Sequence, residues 1–290
     1  MVMANRDLLF AIACLLCAMV TIQSGASIAK QLFPYVGPEG TTAYRLGFSA
    51  LILCLIFRPW RHLPKRWGPI LVYGLCLGGM NITFYYAIER IPLGIGVALE
   101  FTGPLAVALF SSKRKRDYLW VVFAIAGIIL LLPDMDSQTG LDPIGVILAL
   151  IAGTFWAGYI FFGKKTGNQG SGGATVAIGM AVSAVALVPY GAVSQGTALL
   201  NWELIPLGIM IGILSSALPY SLEMVALRNM PAQGFSIMMS LEPAVAAVAG
   251  LIILGELLTV WQWVAVLMII IASVGSSMAS SEQPKKEKAG

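Results

Sequence analysis

The chain is a succession of apolar runs of similar length, separated by a few polar or charged residues. Ten runs can be marked, at roughly Leu8–Leu32, Gly40–Phe57, Gly68–Ile88, Leu93–Ser112, Tyr118–Leu132, Pro143–Phe162, Ala174–Val193, Leu204–Leu227, Pro231–Leu254 and Thr259–Ser277. At a helical rise, about 20 residues match the roughly 30 Å hydrocarbon thickness of a bilayer. Lipid offers no partner to a backbone N–H or C=O, so each run is expected to bond internally as a helix. The pattern therefore predicts an all-α integral membrane protein with ten transmembrane helices. The connections are too short for a soluble domain. The first run opens like a signal peptide, with Arg6 ahead of Leu8–Val20. It continues through Ile22 to Phe33 and is read as a retained helix. Residues 280–290 are polar and are read as a disordered cytoplasmic tail.

Composition agrees with this pattern. A soluble globular chain carries about 25% charged residues, whereas this one carries 11%, with 58% hydrophobic residues and a mean hydropathy of +0.84. The spacing Cys14-x-x-Cys17 suits redox chemistry, but both residues, like Cys54 and Cys76, lie in apolar runs and read as packing residues. The lone histidine, His62, sits in a basic loop, and no ligand cluster for a metal stands out. No nucleotide-binding loop appears, so neither ATP nor any cofactor is expected, and no arrangement of Ser, His and Asp suggests an enzyme.

Charge predicts orientation. With a cytoplasmic N-terminus, fifteen of the eighteen Lys and Arg residues fall on the inner side, in Arg6, the loops around Arg58–Arg66, Lys113–Arg116 and Lys164–Lys165, Arg228 and the tail. Only Arg90 falls outside, while Lys30 and Arg45 lie within runs. This is the positive-inside asymmetry of an inner-membrane protein with both termini cytoplasmic. It accounts for the net charge of +4 without a nucleic-acid partner.

A shift of 139 residues aligns Ala87-Ile-Glu-Arg-Ile-Pro92 with Ala226-Leu-Arg-Asn-Met-Pro231, Pro104 with Pro243, and Asp117 with Glu256. Five spans per half is odd, so the halves must insert in opposite directions. The expected organisation is a first five-helix repeat over 1–138, an inverted second repeat over 139–279, and the tail. Inverted repeats are the architecture of secondary transporters, which bind near mid-membrane where the halves meet.

The polar residues inside the runs are few. Glu100 is the one charge in Pro92–Ser112 and lies near its middle. Such an acid costs roughly 2.5–3.5 kcal/mol to insert and marks a functional site by default. Pro104 follows four residues later, so the helix should bend there and leave the Glu100 carbonyl without its partner. The glycines Gly79, Gly94, Gly96 and Gly103 would allow close approach of a neighbour or a ligand. Gln23, Ser27 and Lys30 share one helix face, as do Gly74, Gly78, Asn81 and Tyr85, and Ser216, Pro219, Tyr220 and Glu223. Glu242 and Pro243 stand near mid-depth in the ninth run, and Arg45 lies in the second. Polar stripes avoid lipid, so these should converge on a central cavity.

Alternatives stand beside each assignment. Lys30 and Arg45 could snorkel to the outer surface or form structural ion pairs. Glu223 could pair with Arg228, Glu242 could brace a broken helix, and Gln23 and Asn81 could bond between helices. Acids and bases together suit a zwitterionic cargo, its ammonium on a carboxylate and its carboxylate on Arg45, Lys30 or a half-helix N-terminus. Low dielectric favours the neutral form of a carboxyl, which would let Glu100 or Glu242 exchange protons in an antiport cycle. Monomer and homodimer are equally compatible with the pattern.

Several of these stretches carry a resemblance. SGASIAKQLFP at Ser24–Pro34, IPLGIGVALEFTGPLAVALFSS at Ile91–Ser112, ATVAIG at Ala174–Gly179, and ALPYSLEMVAL with LEPAVAAVAGLIILGE further on are similar to the drug/metabolite transporter superfamily, of the ten-helix EamA type. The resemblance implies an inner-membrane exporter of small neutral amino acids of the threonine and homoserine kind, driven by the proton gradient. It also implies five-plus-five inverted repeats. Another small amphiphile, such as a drug or purine, is the alternative cargo on the same fold. The segment RNMPAQGFSIMMS at Arg228–Ser240 has fewer threonines than the resemblance leads one to expect, which leaves cargo range open.

Overall fold

A computed structural model describes residues 5–61, 63–64, 66–111, 118–131, 141–166, 172–230 and 232–281. These residues are helical almost throughout, with no strand among them. Expectations that rest on His62, Lys65, Lys113–Arg116, Asp117, Pro231 and residues 282–290 of the tail lie outside the described residues, as does the Arg228 side chain, while residues 280 and 281, expected in the disordered tail, are the last of a helix.

The first two apolar runs join in one helical element, α1 (Asn5–Phe57), broken at Gly37 (φ 60°, ψ 173°). Pro34 and Pro38 flank the break. Pro38 has no N–H for the Pro34 carbonyl, and the backbone at Gly37 is one that side-chain-bearing residues rarely adopt. A straight helix would hold Gly25 and Arg45 about 30 Å apart. Instead Gly25 lies against Ser215, and Arg45 bonds the Ser215 carbonyl. The element is thus a hairpin of two limbs, 5–36 and 38–57, with a corner of one residue where the sequence predicted a loop.

Helix α2 (Trp67–Arg90) stops because Ile91 precedes a proline, which pushes it into the extended region seen there (φ −127°, ψ 159°). The fourth run is two helices, α3 (Leu93–Glu100) and α4 (Thr102–Ser111), meeting at Phe101. Next come α5 (Tyr118–Leu131), α6 (Pro143–Thr166) and α7 (Gly172–Gln195). Asp142 opens α6, its carboxylate accepting the Ile144 N–H at 2.8 Å and Arg90 at 3.0 Å. Both hydrogen bonds hold its carboxyl below the usual carboxylate range, Arg90 foremost.

The eighth run is interrupted as well. Helix α8 (Ile205–Gly212) passes through a π-helical turn (Ile213–Ala217) into α9 (Leu218–Asn229), with Pro219 at its start. In the ninth, α10 (Ala232–Met239) and α11 (Glu242–Ala249) are separated by Ser240 and Leu241, directly before Pro243. A π-helical turn (Gly250–Leu254) ends at Gly255, and α12 (Val260–Ser281) closes the chain.

Among the described residues, six helical stretches are long and apolar enough to cross a membrane, one of them the 50-residue Leu8–Phe57; Leu93–Val107, Leu119–Leu131 and Val260–Ser276 are shorter apolar helices. The outward faces are apolar, with Leu55, Val122, Val193 and Ile252 each more than 60% exposed, while Gln23, Arg45, Asn81, Glu100 and Glu242 are buried. Polar groups inside and aliphatic groups outside suit a lipid solvent. Helix α2 packs on α6 and α7, α1 on α7, α8 and α9, α3 on α11, and α5 on α12. The four glycines singled out above meet protein, not an open ligand space: Phe155 against Gly79, Ala247 against Gly94, Ile88 against Gly96 and Gly153 against Gly103.

Candidate functional site

The buried polar residues converge on a cavity of about 310 Å³ among both limbs of α1, α2, α3–α4, α6, α9, α10–α11 and α12. Gln23, Arg45, Asn81, Glu100, Pro104, Tyr220, Glu223 and Glu242 all line it.

Glu100 is the last residue of α3, and the bend beyond it is the one its proline predicts. The carbonyl that Pro104 leaves without its usual partner faces α6, where a Cβ on Gly153 would come within 2.7 Å of it. Gly103 packs on the Gly153 carbonyl so closely that no Cβ would fit. Broken backbone is therefore placed against protein backbone and away from lipid, as a membrane requires.

Glu242 begins α11 just past the second break. Gln23 donates from Nε2 to its Oε1 at 3.0 Å. Gln23 Oε1 and Glu242 Oε2 are buried without hydrogen-bond partners. Arg45 reaches in from the second limb, 6% exposed. Its Nη1 donates to the Tyr85 hydroxyl and its Nη2 to the Ser215 carbonyl, both at 3.3 Å, and the guanidinium stands 5.4 Å from the Tyr85 ring centre. Ser215 is four residues before Pro219, which has no N–H to offer its carbonyl. The proline thus helps to fix the arginine through backbone. Arg45 Nε has no partner. Unpaired buried polar atoms are costly, and here two acceptors and one donor belong to residues that line one cavity.

Not every expected residue stands there. Lys30 is an ion-paired brace: its Nζ lies 2.6 Å from Glu256 Oε1 and 3.0 Å from the Ile91 carbonyl. The other Glu256 oxygen accepts the Leu93 N–H at 2.7 Å. Lys30 is thus bonded to Glu256 and does not line the cavity. Tyr85 is fully buried behind Arg45, against Phe33, and does not line the cavity. Pro219 and Pro243 shape backbone without lining the cavity. Asn81 lines it, though its Nδ2 is committed to the Leu77 carbonyl at 2.7 Å.

Sequence reasoning left out several lining residues. Trp156 and Tyr159 read as packing but form one side, with Trp156 edge-on to Phe101 at 5.0 Å. Ser273 and Ser276 also line the cavity. Their spacing of three puts them on one helix face, as it does Ser27 and Lys30. Among the described residues, no three His, Cys, Asp or Glu side chains group to hold a metal ion.

The profile of the EamA-like transporter family matches residues 9–132 and again 143–278. The threonine/homoserine exporter RhtA of Salmonella typhimurium (strain SL1344) is 52% identical over 273 residues, covering 93% of this chain and 92% of its own length. RhtA of Escherichia coli (strain K12) is likewise 52% identical, over 276 residues and 94% and 93% of the two chains. YwfM, an uncharacterized transporter of Bacillus subtilis (strain 168), is 28% identical over 88% and 90%. A protein crystal structure with 17% identity superimposes with a TM-score of 0.57 over 98% of this chain and 99% of its own, a likeness of fold.

Proposed function

The chain belongs to the EamA-like transporter family, and from that premise we propose that it exports small neutral amino acids, threonine and homoserine among them, across the bacterial inner membrane. One observation carries the reading: a buried cavity presents a guanidinium and three carboxyls, with acceptors and a donor left open. An α-amino acid complements that set. Its carboxylate pairs with Arg45, and its ammonium with Glu242, Gln23 Oε1 and Glu100, as charge-assisted hydrogen bonds favour. The exporters at 52% identity support this cargo.

Counting charges puts protons in the cavity: three carboxyls and one guanidinium are neutral only when two carboxyls carry protons, and a zwitterionic cargo, itself neutral, leaves that count unchanged. Coupling in the proposed cycle rests on local competition, in which the arriving ammonium displaces a proton from the one carboxyl it pairs with, and its departure on the other side lets a proton return. This is antiport with alternating access.

The architecture proposed is ten spans in two inverted halves, both termini cytoplasmic. The hairpin limbs of α1 count as two spans, and the broken fourth, eighth and ninth runs as one each. The family profile matches twice along the chain. Packing is reciprocal under exchange of the halves: α3 meets α11, α5 meets α12, and α2 packs on α6 as α8–α9 pack on α1. In this orientation the Lys30–Glu256–Leu93 cluster lies at the outer end and seals it, so it must part when the cavity turns outward.

The test is efflux from proteoliposomes loaded with labelled threonine, homoserine and other amino acids under an imposed pH gradient. Gradient-dependent efflux of threonine and homoserine is expected. Efflux that ignores the gradient overturns the coupling, and no amino-acid efflux overturns the cargo.

A further inference from the structure

We propose that Ser273 is a specificity-determining residue that reads a hydroxyl on the cargo's side chain. The inference rests on the amino-acid reading above and extends it to the cargo's third substituent.

The proton wiring of a serine chain leads to it. Ser240, in the break between α10 and α11, is fully buried, and its Oγ lies 3.1 Å from the Ser236 carbonyl oxygen. The same Oγ lies 2.7 Å from Ser273 Oγ. A carbonyl only accepts, and a hydroxyl has one proton. Ser240 spends its proton on the carbonyl, so the proton between the two serines comes from Ser273. Ser273 therefore has its one proton committed to Ser240 and keeps a lone pair open. It lines the cavity and offers a neutral acceptor that cannot switch to donating while Ser240 stays bonded.

A cargo ammonium is better served elsewhere, because carboxylates accept from it with charge assistance. Gln23 Oε1, another neutral acceptor, is tied to that ammonium end through its own bond to Glu242. What remains for Ser273 is a neutral donor. The matching class is a small amino acid with a side-chain hydroxyl, distinguished from its isostere with a methyl group in that place. A site built to bond a hydroxyl discriminates against the analogue that lacks it, since the buried acceptor is then left unpaired.

Threonine and valine are the probes, being nearly identical in shape. Binding of labelled threonine to purified full-length protein is competed with each. The native protein is expected to favour threonine by about five- to tenfold, the worth of one neutral hydrogen bond. Ser273→Ala should bring the ratio to within about twofold of one. Ser240→Ala keeps the Ser273 hydroxyl but frees its proton to point elsewhere, so the ratio should fall by less. It is also the deciding variant should Ser273→Ala not fold. A ratio unchanged in every folded variant, or a native protein without preference, overturns the inference and leaves the functional reading standing. Binding of no amino acid at all overturns the functional reading, and this inference with it.

Discussion

The breaks in the fourth and ninth runs are made by the same backbone device yet hold their acids differently. Both runs carry a proline at matching positions, Pro104 and Pro243, and both give way just before it. Glu100 stands before its break, at the end of α3; Glu242 stands after its own, at the start of α11. Under the shift of 139, Glu100 falls on Met239 and Glu242 on Gly103. The two halves thus match in the hinge but not in the chemistry. A helix start welcomes negative charge and a helix end does not. Glu242 is moreover held by Gln23. The two acids should therefore do different work.

That difference can be broken most directly by neutralising each acid alone. Glu100→Gln should abolish acceleration of efflux by a pH gradient, a loss of about a hundredfold or more in driven flux, while exchange of labelled for unlabelled amino acid persists. Glu242→Gln should keep the gradient response and weaken cargo affinity about tenfold, as loss of a charged hydrogen-bond partner does. Equal defects in both variants would remove the distinction. Next in size is the hinge itself. Pro104→Ala and Pro243→Ala each restore a backbone donor four residues after a free carbonyl. Each should slow efflux about five- to tenfold with little change in cargo affinity, and the two defects should match, because the hinge is what the halves share.

A smaller effect is expected at the Lys30–Glu256 brace. Lys30→Met or Glu256→Gln should raise labelling, from outside, of a single cysteine introduced in the cavity lining about two- to fivefold, and the exchanged pair Lys30→Glu with Glu256→Lys should restore closure. The smallest concerns Asp142, whose carboxyl is held low by Arg90. Its stabilisation is complete above the unfolded aspartate value, about 3.9, and is lost as pH falls through the lower folded value. Asp142→Asn should therefore lower the unfolding temperature slightly at pH 7, where that stabilisation is complete, and the two proteins should converge as pH falls below about 4.

Much of this was legible in the residues. Run length and charge scarcity mark a multi-pass helical protein, and the few polar residues inside the runs identify the charged groups of the cavity lining, because lipid leaves them nowhere else to go. The Glu100–Pro104 spacing predicts the bend the chain makes. What stayed hidden depends on the third dimension. Lys30 looks like a cargo ligand until Glu256, far along the chain, is seen beside it. The π-helical turn at Ile213–Ala217 has no signature beyond Pro219, and Arg45's anchor on the Ser215 carbonyl follows from it. Trp156 and Tyr159 have the same composition as packing residues, and only position separates a lining from a core.

The one-residue corner at Gly37 has a mechanical consequence. The two limbs it joins carry Gln23 and Arg45, which sit at opposite poles of the proposed cargo. With one residue between them the limbs share a pivot, so in the proposed cycle a swing of either limb about Gly37 is felt at both ends of the passenger.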